Sequence, residues 1–313
     1  MRAKNRKKII LITCAGGSGP IYLSRTLRRR FIVILADGSR DNAGPFIGLP
    51  FYLTPFGNDP SYGNVLKQIV KKHYVDYVVP GADEELVPLN DLMKEIKSFV
   101  LIAPDKDFIT LCLNKKQLMI ELDKIHLSHL PPFARKQDVT YPAIAKPIYG
   151  RGSRQVHQVK NIHELNGYLD LYGKKFSDVL VQKYIPGVEY TVSVIVNNVN
   201  AIIGIVPKRI ISKKGITRSA VAERNVLIEK VCRDIVASLK PGGPFNVQLM
   251  LYRGKVYIFE INPRLSTTSV LTDKAFGNEI ELFIKYYGKT VIIGAPAMKA
   301  SVRLYRYEEN IFK

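Results

Sequence analysis

Cysteine is scarce: Cys14, Cys112 and Cys232 are the only three in 313 residues, widely separated and with no CxxC pair. That scarcity argues against a disulfide framework or a cysteine zinc site and fits a reducing cytoplasm. No apolar run approaches the roughly 18 residues of a membrane-spanning helix, so no membrane segment is expected. Met1–Lys8 followed by Ile9–Ile12 has the outline of a signal peptide. Its apolar part is too short, however, and runs straight into Gly16-Gly17-Ser18-Gly19, so it is expected to be a first strand. There is no internal repeat, low-complexity tract or long linker, and no Ser-His or Cys-His arrangement suited to a nucleophile. His126 and His129 are close together, but Pro131-Pro132 set them at a helix end, and no metal site is expected there.

Acidic residues are also few. Against 47 Lys and Arg stand 27 Asp and Glu, a formal charge of +20. Such a charge favours phosphate-bearing partners. Yet the cations are scattered outside Lys4–Lys8 and Arg28-Arg29-Arg30, and no aromatic-rich binding motif accompanies them, so no specific nucleic-acid partner is expected. At 46% apolar content the chain can bury large cores, in two or three compact units.

The N-terminal third alternates strand and helix: strands at Ile9–Thr13, Phe31–Ala36, Val75–Val79 and Phe99–Ile102, with helices after Gly19 through Arg29, at Asn64–His73 and at Asp83–Lys97. This pattern is that of a doubly wound parallel sheet, whose ligands collect at strand carboxyl ends. The Gly16–Gly19 loop and Asp37 keep a dinucleotide reading open, but Gly17-Ser18-Gly19-Pro20-Ile21-Tyr22 lacks the third small residue of the full fingerprint. Asp83-Glu84-Glu85 can favour a helix start or hold a substrate amine. After about Asp105 the pattern becomes α+β, with a helix capped by Asn114, others at Asn161–Tyr172, Glu223–Leu239 and Glu279–Tyr287, and a closing strand at Ala300–Tyr305. In the Glu223–Leu239 helix, Val226, Val231, Ile235 and Leu239 are expected inward.

The most informative stretch is Lys255-Val-Tyr-Ile-Phe-Glu260-Ile-Asn262-Pro-Arg264. Alternation puts Glu260 and Asn262 on one strand face. If Tyr252 pairs with Val256, Gln248 of the preceding strand lies opposite Glu260; a two-residue loop would instead place it opposite Phe259. Three oxygen-bearing side chains so gathered suit Mg²⁺, and Arg264 can grip phosphate or carboxylate oxygens as a planar fork. Upstream, Ala143-Ile-Ala-Lys146 leads into the loop Gly150-Arg151-Gly152-Ser153-Arg154, a lysine, free N–H groups and arginines suited to a polyphosphate. Next, Val179–Tyr184 meets a second strand at Pro186-Gly187, with Glu189 just beyond. An exposed backbone edge there can read an adenine, and a carboxylate can accept from both ribose hydroxyls.

In this order and spacing the pieces resemble the ATP-grasp superfamily, nearest its carbamoyl-phosphate-synthase large-subunit branch and stand-alone ligases. The resemblance covers nearly the whole chain. It implies a pre-ATP-grasp α/β domain at 1–104 and a two-lobed α+β ATP-grasp domain, with lobes at 105–180 and 181–313. It implies that Lys115, Lys146 and Arg154 contact nucleotide phosphates. Gln182, Lys183, Tyr184 and Ile185 would read adenine, and Glu189 the ribose. Gln248, Glu260 and Asn262 would bind Mg²⁺, for which Mn²⁺ can substitute, while Arg264 and Arg154 act on the transferred phosphate. Position 182 departs from the family's frequent Glu, and position 248 carries Gln as the synthase branch does. A further phosphate cation is implied among Lys208, Arg209, Lys213, Lys214 and Arg218. The implied activity is ADP-forming ligation of a small-molecule carboxylate to an amine in the cytoplasm, with room for a homodimer. The alternatives are phosphorylation of bicarbonate or carbamate, and non-catalytic nucleotide binding. The synthase itself has duplicated units, and this chain has one.

Overall fold

The computed structural model describes residues 6–312. Its first unit is a five-stranded parallel sheet of β1 (Ile9–Ile12), β2 (Ile32–Asp37), β3 (Phe51–Leu53), β4 (Tyr77–Val79) and β5 (Val100–Leu101), in the order β3-β2-β1-β4-β5. Helices α1 (Ser18–Leu27), α2 (Tyr62–His73) and α3 (Leu86–Ile96) alternate with the strands. This is the doubly wound sheet that the alternation predicts, with the short edge strand β3 as an addition. Ile10, Leu11 and Ile12 are buried because a parallel strand has both faces covered. The strand order reverses between β1 and β4, so the loops after those strands, Gly16–Gly17 and Gly81–Glu85, flank the crevice where ligands of such sheets collect.

Helices α4 (Lys106–Leu113) and α5 (Lys115–Lys124) follow. A three-stranded sheet comes next, β6 (Ala143–Pro147), β7 (His157–Val159) and β8 (Val179–Lys183) in the order β7-β6-β8, backed by α6 (Ile162–Leu171). The largest unit is an antiparallel sheet of β9 (Val188–Val196), β10 (Ile202–Lys214), β11 (Ile216–Ala222), β12 (Phe245–Tyr252), β13 (Lys255–Asn262) and β14 (Arg303–Tyr305). Its order is β13-β12-β9-β10-β11-β14. Helices α7 (Val226–Leu239), α8 (Ser269–Ala275) and α9 (Glu279–Tyr286) complete it.

Asn114, Asn161, Asn225 and Asn278 each accept a backbone N–H at the start of α5, α6, α7 and α9. Such a cap contributes about 1 kcal/mol by satisfying an orphan donor. Helices α4, α5 and α7 share one core with the large sheet, bringing Phe108, Leu118, Leu122 and Ile235 against Val192, Val247 and Ile258. The segment 106–124 thus packs on the large sheet rather than on the small one, and β8 carries the small sheet to residue 183. In α7 Ile228, Cys232, Ile235 and Val236 are buried and Val231 and Leu239 pack partly buried against the same core, whereas Val226 is 81% exposed. Asn225 caps the helix immediately before Val226, so Val226 sits in the first turn, ahead of the buried stripe. No helix among the described residues is long and apolar enough to cross a membrane.

Candidate functional site

Strands β12 and β13 form the expected hairpin by an unexpected route. Tyr252 pairs with Lys255, leaving the two-residue loop Arg253-Gly254 with φ of 48° and 72°. Two positive φ values suit the right-handed twist of a hairpin. That loop alone would misalign the site, but Leu249 pairs with Ile258 and Gln248 with Glu260, so Phe259 is an extra, bulged residue. The bulge restores Gln248 opposite Glu260 and Asn246 opposite Asn262. It also leaves the Phe259 carbonyl to accept from Lys146 Nζ at 2.9 Å.

The hairpin faces a cavity of about 730 Å³ between the small and large sheets. Lys115, Lys146, Arg154, Gln182, Lys183, Tyr184, Ile185, Glu189, Gln248 and Glu260 all line it. A smaller, adjoining chamber of about 90 Å³ is lined by Glu189, Gln248, Glu260, Asn262, Arg264, Asn246 and Thr267, among others. The residues that the resemblance assigns to nucleotide, metal and transferred phosphate therefore line one or the other of two adjoining spaces. Seven cations (Lys115, Lys146, Arg151, Arg154, Lys183, Arg209, Lys213) line the larger cavity against two carboxylates, Glu189 and Glu260. That excess suits a polyanion.

Lys115 opens α5 and is nearly buried; its Nζ lies 3.6 Å from Glu260 Oε1 and donates to the Gly150 carbonyl. Lys146, on β6, is likewise buried. Burial pushes its ammonium down to about 8, opposed by Glu260 and assisted by Lys115 and Lys213. Gln182 on β8 is 1% exposed and its Nε2 donates to the Leu130 carbonyl, which fixes the side-chain amide. After β8 the chain leaves the ladder. Tyr184 N donates to Pro142 O at 3.0 Å, while the Ile185 N–H meets no acceptor among the described residues. Glu189 Oε1 takes Lys213 Nζ at 2.8 Å.

Of the cations left open in 205–218, Arg209 and Lys213 line the cavity, Lys213 reaching both spaces. Lys208 is turned away and fully buried, donating to Ser193 Oγ at 2.6 Å and Thr272 Oγ1 at 2.8 Å beside Glu279. Lys214 lines neither space, and Arg218 pairs with Glu308. Asp37 accepts from the backbone N–H groups of Gly16 and Ser39, tying the loops after β1 and β2 together. His129 Nδ1 lies 2.9 Å from the Leu127 carbonyl, and among the described residues no three His, Cys, Asp or Glu side chains are grouped so as to hold a metal ion by themselves.

Sequence reasoning missed Asn246, which is 1% exposed, accepts from Thr191 Oγ1 at 2.7 Å and lines the small chamber. The alternation Asn246, Gln248 along β12 was its available signal. Also missed were two ion pairs to the first unit: Arg264 Nε to Asp83 Oδ1 at 2.5 Å, and Arg151 to both oxygens of Glu84 at 2.8 and 2.7 Å. Glu85 is instead buried, accepting from Thr13 Oγ1 at 2.7 Å and from the Gly81 and Ala82 N–H groups at 3.1 Å. Burial raises its carboxyl above the ordinary range.

The donor set fits a magnesium nucleotide. Among the described residues the Gln248 and Asn262 side chains meet no hydrogen-bond partner, so their oxygens are unspent beside the Glu260 carboxylate. One carboxylate with neutral oxygens suits a cation whose coordination is completed by water and phosphate. Comparison with known proteins agrees: a family model described as the ATP-grasp domain matches residues 112–268. The chain belongs to the ATP-grasp family. Among curated relatives of this ATP-grasp chain, the formate-dependent phosphoribosylglycinamide formyltransferase of Wigglesworthia glossinidia brevipalpis is 25% identical over 227 residues, 66% of this chain and 57% of the relative. The carbamoyl phosphate synthase large chain of Thermomicrobium roseum is 28% identical over 151 residues, 44% of this chain and 14% of that one. The chain thus spans little more than half of the first relative and a small part of the second. Among solved structures, N5-carboxyaminoimidazole synthetase from Staphylococcus aureus complexed with ADP superposes with a TM-score of 0.76 at 16% identity, covering 93% of this chain and 80% of that one. The L-amino acid ligase of Bacillus licheniformis gives 0.71 at 18% identity, covering 91% and 75%. These likenesses establish the ATP-grasp fold and its preceding α/β domain.

Proposed function

We propose that the chain is a cytoplasmic ATP-dependent ligase that joins a small carboxylate to an amine and releases ADP and phosphate. The observation that carries this reading is the pairing of Gln248 with Glu260 and Asn246 with Asn262 at the floor of a cation-lined cavity. Adenine lies against the 182–185 segment, where the free Ile185 N–H donates and the fixed Gln182 amide selects an edge. Glu189 accepts from the ribose, and Lys115, Lys146, Arg154 and Lys213 contact phosphates. Glu260, Asn262 and Gln248 would hold Mg²⁺, which when bound would neutralise phosphate charge. Arg264 and Arg154 orient the γ-phosphate for in-line attack.

The acceptor carboxylate oxygen attacks the γ-phosphorus, the bond to the β–γ bridging oxygen breaks, and ADP leaves. The amine nitrogen then adds to the acyl carbon, its proton is lost, and the C–O bond breaks to release phosphate. No side-chain nucleophile is needed. The small, polar chamber also favours a second reading in which the phosphorylated carboxylate is bicarbonate or carbamate. ATP turnover across a panel of amino acids and bicarbonate, with hydroxylamine present, tests both. ADP with a trapped hydroxamate supports amino-acid activation, and ADP with bicarbonate alone supports the second reading. AMP contradicts both.

Glu189 offers a narrower test. Its loss removes a charge-assisted contact worth about 1.5–3 kcal/mol, so Glu189→Ala is expected to weaken ATP by roughly tenfold or more. Binding of 2′-deoxy-ATP, which lacks one of the hydroxyls, is expected to weaken less. Isothermal titration of both nucleotides measures this, and equal weakening removes the ribose assignment.

A further inference from the structure

The phosphate loop has little to fix it in place. Gly150 and Gly152 have φ of 119° and 71°, and no heavy atom lies within 4 Å of where a Cβ would stand on either. Ser153 and Gln155 also have positive φ. A loop of this shape without packing is not positioned by burial, and its order must come from polar ties. At its base, Lys115 donates to Gly150 O, Asn114 Nδ2 to Tyr149 Oη at 2.9 Å, and Tyr168 Oη to Gln155 O at 3.1 Å. Between these anchors, the hydrogen bonds of residues 151–154 to other described residues are those of Arg151 with Glu84 alone.

That contact is bidentate, at 2.8 and 2.7 Å, with side chains 26% and 35% exposed. Fork-on-carboxylate pairing adds direction as well as energy. Glu84 belongs to the turn after β4, at the crevice of the first domain, and its neighbour Asp83 holds Arg264. The buried Glu85 secures this turn to Thr13 and to the Gly81 and Ala82 amides. A rigid turn of the first domain therefore presents adjacent carboxylates to one arginine from each lobe of the ATP-grasp domain.

We propose that Glu84 is a positioning residue for nucleotide binding: it holds Arg151 so that the loop 150–154 stays over the phosphate end of the cavity. The first domain thereby forms part of the nucleotide site without touching nucleotide. Arg151 serves as the strap, and Arg154, three residues on, is left to face the phosphates. This rests on the reading of the cavity as an ATP site.

The test uses the full chain and two readouts. Tryptic cleavage after Arg154, without nucleotide, reports loop order, and calorimetric titration with Mg²⁺-ADP reports affinity. Glu84→Gln keeps size and removes charge; it is expected to speed cleavage and weaken Mg²⁺-ADP by roughly fivefold each, as for a partly exposed but bidentate pair. The exchanged pair Glu84→Arg with Arg151→Glu is expected to restore both, which a loss of folding would not. Unchanged cleavage in Glu84→Gln overturns the strap. Faster cleavage with unchanged affinity overturns the positioning role. Tighter Mg²⁺-ADP binding overturns it as well, since Arg151 would then be a phosphate ligand that Glu84 withholds. If wild type binds no nucleotide, the ATP reading fails while the cleavage arm still decides the strap.

Discussion

Glu260→Gln is expected to lower the turnover of Mg²⁺-ATP by about 10²–10³-fold, the scale of losing one preorganised electrostatic group. The substitution keeps shape but removes the carboxylate that stands directly opposite Gln248 in the hairpin and beside Asn262. Neutral oxygens alone bind a hard cation poorly. The variant is expected to fold, because the hairpin register rests on backbone pairing and the Phe259 bulge rather than on the Glu260 side chain. Steady-state kinetics with circular dichroism as a folding control measures this. Full turnover in a folded variant removes Glu260 from the site.

Lys146→Met is expected to weaken nucleotide by about 10–100-fold, from loss of one or more charge-assisted contacts of about 1.5–3 kcal/mol. Its pH dependence gives a second, signed test. Burial holds the Lys146 ammonium down at about 8, below the ordinary lysine value of 10.5. In the nucleotide-free protein the charged form is therefore lost as pH rises through about 8, and affinity is expected to fall over that range. The opposite sign holds for stability: below about 8 the fold carries a buried charge, and that cost disappears between about 8 and 10.5. Lys146→Arg is expected to bind with no such decline, since a guanidinium keeps its charge. Binding titrations between pH 7 and 9 distinguish the variants; a decline that persists in Lys146→Arg assigns the titration to another group.

The pairing of Gln248 with Glu260 in the β12–β13 hairpin was legible in the sequence because its information is local. Alternation put Glu260 and Asn262 on one face, and a turn signal at Arg253-Gly254 placed Gln248 near them. The loop length and the bulge were not legible, since they are two compensating irregularities, and a period of two is blind to their sum. The doubly wound sheet was readable from its apolar strands, but β3 has only three residues at an edge and none of them buried.

Choosing among Lys208, Arg209 and Lys213 needed tertiary structure. Register shifts between Ile210 and Lys213 break the alternation of β10, and Thr272 and Glu279, on helices far along the chain, capture Lys208 on the other side. The pairs Arg264–Asp83 and Arg151–Glu84 join residues 181 and 67 positions apart. No local pattern carries such contacts. The resemblance to a family pointed to residues that line the cavity, whereas the contacts of the first domain with them emerged only from the fold.

The central claim is that a carboxylate oxygen attacks the γ-phosphorus. Substrates from the active part of the panel, labelled with ¹⁸O in the carboxylate, test it directly. Mass spectrometry of the released phosphate is expected to find one ¹⁸O per turnover, because the attacking oxygen leaves with phosphorus when the amine displaces it. Phosphate free of label, or label appearing in AMP, would contradict the account.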